Sequence, residues 1–243
     1  MTRTLVDDTP IADLFRDLGM PPHHENCDGY GWANVDDENG HMGAIRCMGC
    51  AGENVAAGVL ALIPVRFRKP IELLPAVAEW VKRGNQAEGL FLCGNVGTGK
   101  THQAYWAMAA WCFRTLTTPA SARVSETYGE QRRIPPSVKF IRATTLFDEL
   151  RPSNQNTRQP VVDSQGARLL ILDDLGAEKP SEFTCEKLYE IVDQRYADAK
   201  PMIVTSNVPP RALSDQVGER VASRFAEYCE VVPVTGPDRR KSA

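Results

Sequence analysis

Between residues 86 and 243, short apolar runs alternate with longer segments whose apolar residues recur at helical spacing. Alternation of this kind predicts parallel strands joined by crossover helices, because each helix returns the chain to the same edge of the sheet. The predicted strands are Leu90–Cys93, Val138–Arg142, Leu169–Leu172, Pro201–Asn207 and Glu230–Val234, and the predicted helices are His102–Leu116, Thr144–Leu150, Glu182–Lys200 and Arg211–Ala226. We therefore expect an α/β fold in which a parallel sheet is flanked by helices.

The first part of the chain has a less regular pattern. Thr9–Gly19 predicts a short helix with Thr9 as its N-cap and Pro10 in the first turn, and its apolar face suits packing on its own module or binding a partner. An apolar run, Ala56–Val65, leads to the basic run Arg66–Lys69, which suits a solvated linker or a nucleic-acid contact. Ile71–Lys82 predicts a second helix, in which a proline indicates a late start or a kink.

Two polar stretches, Thr117–Pro136 and Arg151–Gln165, lack clear periodicity and are predicted to be loops. The first carries Arg123, Arg132 and Arg133. It is interpreted as a mobile surface loop, with nucleic-acid contact as the alternative. We assign residues 1–55 to an N-terminal module, 56–85 to a linker with one helix, and 86–243 to the main domain.

The apolar run that ends at Cys93 leads into Gly94-Asn-Val-Gly-Thr-Gly-Lys-Thr101 and then into a helical pattern. This is the P-loop pattern in its strand–loop–helix setting. The glycines let backbone N–H groups turn toward phosphate oxygens, and the helix N-terminus adds partial positive charge. We expect Lys100 to reach the β- and γ-phosphates of ATP and Thr101 to ligate Mg²⁺. The predicted nucleotide-binding residues are Gly94, Asn95, Val96, Gly97, Thr98, Gly99, Lys100, Thr101 and His102.

Two acidic residues, Asp173 and Asp174, directly follow four apolar residues. This is typical of a buried parallel strand that carries carboxylates to its C-terminal end. Downstream of a P-loop, Asp173 is expected to hold Mg²⁺, directly or through water, and Asp174 to polarise the attacking water.

The chain has seven cysteines, and three of them belong to a pattern typical of a structural zinc site. His24 and Cys27 form one ligand pair, and Cys47 and Cys50 form a second pair about twenty residues later. The fourth ligand stays open, since His23 or His41 could replace His24. Without metal, this polar segment has too little apolar surface to fold alone.

Composition narrows the possible classes of protein. The chain has 243 residues and a net charge of −3, which argues against a strongly basic nucleic-acid coat but leaves room for a local basic channel. Its longest apolar runs are too short to span a bilayer, and its first residues lack a signal-peptide core. We expect a cytoplasmic protein with no membrane contact.

In their order, the motifs resemble those of the AAA+ ATPases, and more narrowly the DnaC/DnaI-type loaders of the replicative DNA helicase and the related IstB-type transposition helper ATPases. The motifs that carry the resemblance are Gly94–Thr101, Leu172–Glu178, Thr205–Asn207, Gly218–Arg224 and Gly236–Arg240, which together cover roughly residues 86–243. The chain ends just after the last motif, which implies a fold without a helical lid domain. A second Walker B acid that is aspartate, and a histidine where zinc-bearing loaders have cysteine, are departures from the usual pattern.

The resemblance implies a role for each matched position. Lys100 and Thr101 correspond to Walker A, and Asp173 and Asp174 to Walker B. Asn207 corresponds to sensor 1, which bridges the γ-phosphate and the attacking water. Arg224 corresponds to the arginine finger, which acts on ATP held by a neighbouring subunit. Arg240, or less clearly Arg239, corresponds to sensor 2; a solvated helix face is the alternative reading of Arg220 and Arg224.

The resemblance further implies an ATP-dependent helicase loader with ATP, Mg²⁺ and Zn²⁺ as cofactors. Its partners would be the replicative helicase hexamer, single-stranded DNA and further copies of itself, and its ATP turnover would be weak and stimulated by DNA. An IstB-like helper of a DNA transposase is the main alternative. A P-loop kinase of small molecules and a non-hydrolysing adaptor fit the acidic pair and the arginines less well.

Overall fold

The computed structural model describes residues 5–6, 9–10, 15, 18, 20–36, 39, 41–127, 130–154, 156–178 and 180–238. These divide into two compact units, of which the first comprises Met1–Pro70 with Ala109–Pro119 and the second comprises Ile71–Met108 with Ala120–Ala243. None of the helices in the described ranges combines the length and the apolar character that crossing a membrane requires.

Up to Pro70, the described residues of the first unit form two small antiparallel strand pairs and one long helix. Its elements are β1 (Leu5–Val6), β2 (Thr9–Pro10), β3 (Trp32–Asp36), β4 (Met42–Arg46) and α1 (Met48–Leu62), followed by the 3₁₀ turn Val65–Phe67. The predicted start of a helix at Thr9 is wrong, because Thr9 and Pro10 pair with Val6 and Leu5. Of the rest of that predicted helix, only Phe15 and Leu18 belong to the described residues.

The apolar run that begins at Ala56 belongs to α1, so the predicted boundary after residue 55 falls inside a helix. Val55, Ala56 and Val59 are fully buried, at the spacing of one helix face. The basic run that follows has a structural use. The Arg68 guanidinium donates from Nε to the carbonyl oxygen of Ile63 at 3.1 Å and from Nη2 to that of Leu60 at 3.4 Å, which satisfies acceptors at the helix C-terminus.

The second unit is built around a five-stranded parallel sheet. Its strands are β5 (Gly89–Cys93), β8 (Val138–Arg142), β9 (Leu169–Leu175), β10 (Met202–Ser206) and β11 (Cys229–Pro233), and a hairpin adds β6 (Arg123–Thr127) and β7 (Glu130–Ile134). Its helices are α2 (Pro75–Lys82), α3 (Lys100–Thr115, whose last turns belong to the first unit), α4 (Ala143–Glu149), α5 (Arg158–Gly166), α6 (Glu182–Ala197), α7 (Ser214–Val217) and α8 (Glu219–Tyr228). The strand order is β11-β5-β10-β9-β8. The predicted parallel α/β sheet is therefore confirmed.

Several element bounds differ from the predictions. The helix predicted from Ile71 begins late, at Pro75, because proline suits the first helical turn and disfavours a helical residue before it. The loop predicted over Thr117–Pro136 contains the antiparallel hairpin of β6 and β7. Its strands carry mostly polar and charged residues, so they lack the apolar alternation that marks a half-buried strand.

Two further helices differ from the predictions. The loop predicted over Arg151–Gln165 contains α5, which buries only Val161 and Ser164 and so gives a weak apolar signal. The helix predicted over Arg211–Ala226 is interrupted at Gly218, whose φ of 88° separates α7 from α8.

The sheet places the ends of three strands side by side. Every residue of β5 and β10 is buried, as expected for inner strands of a parallel sheet with both faces covered. Cys93, at the end of β5, lies opposite Ser206, at the end of β10. The segments that leave β5, β9 and β10 therefore meet at one edge, which is where ligands bind in sheets of this kind.

Candidate nucleotide site and metal centre

The loop after β5 has a backbone that requires glycine. Gly97 and Gly99 have φ values of 83° and 100°, a region that residues with a side chain seldom adopt. A Cβ on Gly94 would lie 2.2 Å from the carbonyl oxygen of Val234, and one on Gly97 would lie 1.8 Å from Oδ1 of Asp238. The chain after β11 thus passes directly beside the loop, and only glycine fits at both positions.

Lys100 begins α3 and is almost fully buried, with 7% of its surface exposed. Its Nζ atom donates to the carbonyl oxygens of Gly94 and Asn95, each at 2.8 Å, and to Oδ1 of Asn207 at 2.9 Å. One ammonium group therefore connects the P-loop to the end of β10. The structure brings together the predicted Walker A lysine and the predicted sensor 1 residue, which are 107 residues apart in sequence.

Asp173 is a buried carboxylate with two hydroxyl partners. Its Oδ1 accepts hydrogen bonds from Thr101 Oγ1 at 2.9 Å and from Thr205 Oγ1 at 2.7 Å. Burial raises the pKa of Asp173, and the two hydroxyl donors partly oppose that rise. The two predicted Mg²⁺ ligands, Thr101 and Asp173, are thus in direct contact, and a hydroxyl beside a carboxylate is a donor set that suits Mg²⁺.

The strand that carries the acidic pair has an irregular register. Leu172 pairs with Val204 and Leu175 with Ser206, so both aspartates lie opposite Thr205 alone. Asp174 adopts a φ of 59°, and its N–H donates to Thr205 Oγ1 at 2.8 Å. This bulge leaves Asp173 buried and Asp174 exposed. A left-handed aspartate costs roughly 1 kcal/mol, and this bulge turns Asp174 toward solvent.

Thr205 has a role that sequence reasoning missed. Its hydroxyl donates to Asp173 and accepts from the N–H of Asp174, so it holds both acids in place. The sequence signal for Thr205 was the polar triplet Thr205–Asn207 at the end of the predicted strand. That pattern did not indicate which strand of the sheet would lie beside Thr205.

In the first unit, four potential metal ligands form a cluster in which every ligand atom lies within 4.8 Å of the others. They are His23, Cys27, Cys47 and Cys50. The Sγ atoms of Cys27 and Cys50 are 3.4 Å apart, and the Sγ atoms of Cys47 and Cys50 each lie 3.6 Å from His23 Nδ1. Tetrahedral zinc, with bonds of about 2.3 Å to sulfur and about 2.0 Å to nitrogen, separates two sulfurs by about 3.8 Å and sulfur from nitrogen by about 3.5 Å. The cluster has close to this geometry.

The histidine of the cluster is His23, so the prediction of His24 as a ligand needs correction. The ring of His24 accepts a hydrogen bond from the N–H of Asn26 at 3.2 Å, and its backbone N–H donates to Cys47 Sγ at 3.5 Å. Adjacent residues of an extended chain point their side chains in opposite directions, and sequence spacing could not decide between them. A Cβ on Gly49 would lie 2.5 Å from backbone atoms of His23, so glycine between the two cysteines permits this approach.

Glu53, on α1, holds the other side of the His23 ring, with Oε1 3.2 Å from Nε2. Hydrogen bonds to Cys27 and then to Glu53 raise the pKa of His23 to about 9. Backbone N–H groups of Cys50 and His24 lower the pKa of Cys47 to about 6, whereas burial raises the pKa of Cys50 to about 12. A carboxylate that orients a histidine ligand is a common outer partner of zinc sites. Sequence reasoning gave Glu53 no role.

We predict that His23→Ala loses zinc and that its neighbour His24→Ala keeps it, because only His23 turns its ring nitrogen toward the three sulfurs. Glu53→Gln should retain zinc with about 10–100-fold lower affinity, since it keeps the ligands but weakens their support. Metal analysis of the purified variants and competition with a chelator measure both effects. Equal zinc content in the two histidine variants would contradict the assignment.

The predicted arginine finger, Arg224, lies on α8 and is held within its own chain. Its Nε donates to Asp193 Oδ1 at 2.8 Å and its Nη1 to Glu227 Oε2 at 2.9 Å, while its guanidinium lies 4.5 Å from the centre of the Tyr196 ring. Arg220, one turn earlier, stacks on Tyr189 at 3.8 Å. Arg239 and Arg240 lie outside the described residues.

The chain is similar to several known proteins of DNA replication and transposition. No protein-family model matches the chain. Over 151 residues it is 28% identical to the chromosomal replication initiator protein DnaA of Enterococcus faecalis, covering 61% of this chain and 29% of that protein. Over 142 residues it is 28% identical to the replicative helicase loader DnaC of Escherichia coli, covering 58% of this chain and 51% of that protein. Over 172 residues it is 24% identical to Rv3427c, an ATP-binding protein in an insertion sequence of Mycobacterium tuberculosis, covering 68% of this chain and 59% of that protein.

Among solved structures, DnaI aligns with 74% of this chain and 95% of its own, with a TM-score of 0.53 and 20% identity. At that identity the likeness shows the fold alone. The chain spans less than two thirds of the length of the curated relatives described above.

Proposed function

We propose that this chain is an ATPase that loads the replicative DNA helicase. The proposal starts from its similarity in sequence and fold to DnaC/IstB-type AAA+ ATPases. The observation that carries the ATPase part is the contact network at the C-terminal edge of the sheet. There, one network joins Lys100 to Asn207, and another joins Thr101 to Asp173 and Thr205. Cation, hydroxyl, carboxylate and amide are the groups that an ATP and Mg²⁺ site requires.

Each residue has a distinct task in the proposed hydrolysis. When the nucleotide binds, the Lys100 ammonium leaves its loop carbonyl partners and binds phosphate oxygens instead. Its positive charge then offsets the negative charge of the nucleotide. Thr101 and Asp173 would hold Mg²⁺, and the ion would supply positive charge beside the phosphate oxygens. Asp174, exposed by the bulge, accepts a proton from the attacking water or orients it. Asn207 holds the γ-phosphate and that water in register.

In this proposal Arg224 completes the site of a neighbouring subunit, because an arginine finger adds a second cation to that of Lys100 as charge develops in the transition state. To reach the ATP of a neighbouring subunit, the Arg224 guanidinium must break its ion pairs with Asp193 and Glu227 or keep them while it also contacts that ATP. Arg240 is proposed to contact the nucleotide as sensor 2. A turnover rate per subunit that stays constant as protein concentration rises would contradict a finger supplied in trans.

The first unit is the reason to prefer the loader over a transposase helper. It carries the Cys/His cluster, and a zinc module ahead of the ATPase resembles one branch of loaders. The sequence matches themselves favour neither, since the chain is 28% identical to DnaC over 142 residues and 24% identical to the insertion-sequence protein over 172. The proposed partners are the helicase hexamer, held by the first unit, and single-stranded DNA, which stimulates a slow ATPase. Arg123 and Arg133 are candidates for DNA contact, although Arg133 already binds Asp163.

Co-purification with the cognate replicative helicase, with and without ATP, tests this proposal. We expect a complex with the wild-type chain and with Cys185→Ser, a matched change outside the cluster. Cys47→Ser/Cys50→Ser should lose the complex and keep ATP hydrolysis, because the cluster and the P-loop belong to different compact units. If the wild-type chain forms no complex in any condition, the loader is wrong. Duplex DNA and a transposase then become the partners to examine.

A further inference from the structure

The hairpin of β3 and β4 exposes large apolar side chains on one side. Trp32 lies directly opposite Arg46, and Asp36 directly opposite Met42, so these four side chains share one side of the hairpin. Trp32 is 46% exposed and Met42 is 86% exposed. Ala33 points to the other side and is fully buried. We call the side that carries Trp32 and Met42 the hairpin face.

This exposure is concentrated in the hairpin. Tyr30 is 79% exposed, and Ile45 and Met48 lie close by at 46% and 47%. Among the described residues, the other large apolar side chains that are exposed to this degree are all valines, scattered from Val65 to Val231. Single exposed valines are ordinary, whereas a cluster of aromatic and methionine side chains marks an interaction surface.

The metal centre supports the hairpin face. The N–H of Cys47 donates to the carbonyl oxygen of Gly31 at 2.9 Å, and Cys27 forms a β-bridge with Ala33. Oδ1 of Asp28 accepts from the N–H groups of Tyr30 at 2.7 Å and of Trp32 at 3.1 Å. Both ligand knuckles are thus tied to the strand that carries Trp32. A surface fixed in this way loses little conformational entropy when it binds.

The charge around the hairpin face decides which partner it fits. Residues 20–53 contain six carboxylates and a single arginine, Arg46, with no lysine. Nucleic acid would meet repulsion here, since its phosphates require Lys and Arg. A second copy of the chain would bring the same negative charge to the contact.

We propose that the hairpin face docks a protein surface that receives Trp32 and Met42 and is edged by lysine or arginine side chains. This inference rests on the proposed function and deepens it, because it assigns the surface by which the first unit holds the helicase. Trp32 and Met42 lie at opposite ends of the face, and each inserts into an apolar part of the partner. Asp36, directly opposite Met42, meets the basic edge.

The test uses the full-length chain and its cognate replicative helicase hexamer. Trp32→Ser/Met42→Ser removes both large apolar side chains of the hairpin face, and the matched control Val124→Ser/Val231→Ser changes two exposed apolar residues of the second unit. We expect the first variant to bind the helicase about 30-fold more weakly, as interface centres built on Trp do, and the control to bind as the wild type. Zinc content and ATP turnover should be unchanged in both. Asp36→Lys should weaken binding about 5-fold and reduce its dependence on salt.

Each other outcome overturns part of this picture in a recognisable way. If the wild type binds the helicase and the Trp32/Met42 variant binds equally well, the hairpin face is wrong and the loader stands. If the wild type does not bind the helicase at all, the loader fails and the inference fails with it.

Three further results would indicate a different partner for the face. Loss of single-stranded DNA binding in the Trp32/Met42 variant would assign the face to nucleic acid. Conversion of a wild-type dimer to a monomer would assign it to a second copy. Tighter binding by Asp36→Lys would exclude a basic partner.

Discussion

Replacement of Lys100 by alanine is expected to lower the affinity for ATP by about 100-fold and to abolish hydrolysis. The Lys100 ammonium is the cation that the structure places against the P-loop carbonyls, beside Asn207. Charge-assisted hydrogen bonds contribute up to about 3 kcal/mol each, which corresponds to about a hundredfold change in binding. Titration with a fluorescent ATP analogue measures the affinity, and phosphate release measures the hydrolysis.

Lys82 provides the matched control for this experiment. It lies on the exposed side of α2, where it pairs with Glu79, and Lys82→Ala should leave ATP affinity unchanged. Thermal unfolding of Lys100→Ala checks that the second unit remains folded, since the carbonyls it releases lie in a loop that water can reach. An unfolding temperature near that of the wild type together with unchanged ATP affinity would show that the P-loop assignment is wrong.

Replacement of Arg195 by methionine is expected to destabilise the chain by about 3–5 kcal/mol, because it removes a buried guanidinium that donates to several buried carbonyls. Arg195 is fully buried on α6. Its Nη1 donates to the carbonyl oxygens of Ser164 at 2.8 Å and Ala167 at 2.7 Å, and its Nη2 to that of Pro201 at 2.5 Å. Burial lowers its pKa to about 10, which still leaves it charged at neutral pH.

These contacts explain the size of the expected effect. Ser164 belongs to the last turn of α5, and Ala167 and Pro201 come just before β9 and β10, so one guanidinium joins the start of both strands to a helix C-terminus. Methionine fills similar volume but takes the guanidinium donor away from the carbonyls of Ser164 and Ala167, whereas that of Pro201 keeps the N–H of Leu170 at 3.4 Å. Denaturant unfolding measures the loss, with Arg211→Met as an exposed control. A change of less than about 1 kcal/mol would mean that water replaces the guanidinium at no cost, which burial of this site argues against.

Local patterns were sufficient for the parts of the fold that depend on neighbouring residues. The P-loop sequence, the apolar run before it and the helical run after it predicted a strand, a loop and a helix, and β5 and α3 have those positions. The run before Asp173 predicted a buried parallel strand that ends in acids. In each case the signal and the structure lie within about fifteen residues, where backbone geometry alone relates one residue to the next.

Contacts between distant segments could not be predicted in this way. By their spacing in the sequence, His23 and His24 are equally suitable as the histidine ligand. Two tertiary contacts favour His23, namely the close approach of its backbone to Gly49 and the position of Glu53 beside its ring. Thr205 holds the acidic pair because β10 lies beside β9, a neighbour relation that depends on the order of strands in the sheet. The strands β6 and β7 carry mostly polar and charged residues, so no apolar alternation marks their hairpin.

The amino-acid sequence was enough to predict a P-loop in a parallel α/β sheet and a resemblance to DnaC/DnaI-type and IstB-type ATPases, because these features depend on residues that are close in sequence. The contact of Lys100 with Asn207 and the bulge that buries Asp173 and exposes Asp174 became known only from the three-dimensional structure. The same holds for His23 in the cysteine cluster and for Arg195 between two strands. Each of these depends on which strand or helix lies next to which, and that order is set by packing of the whole chain.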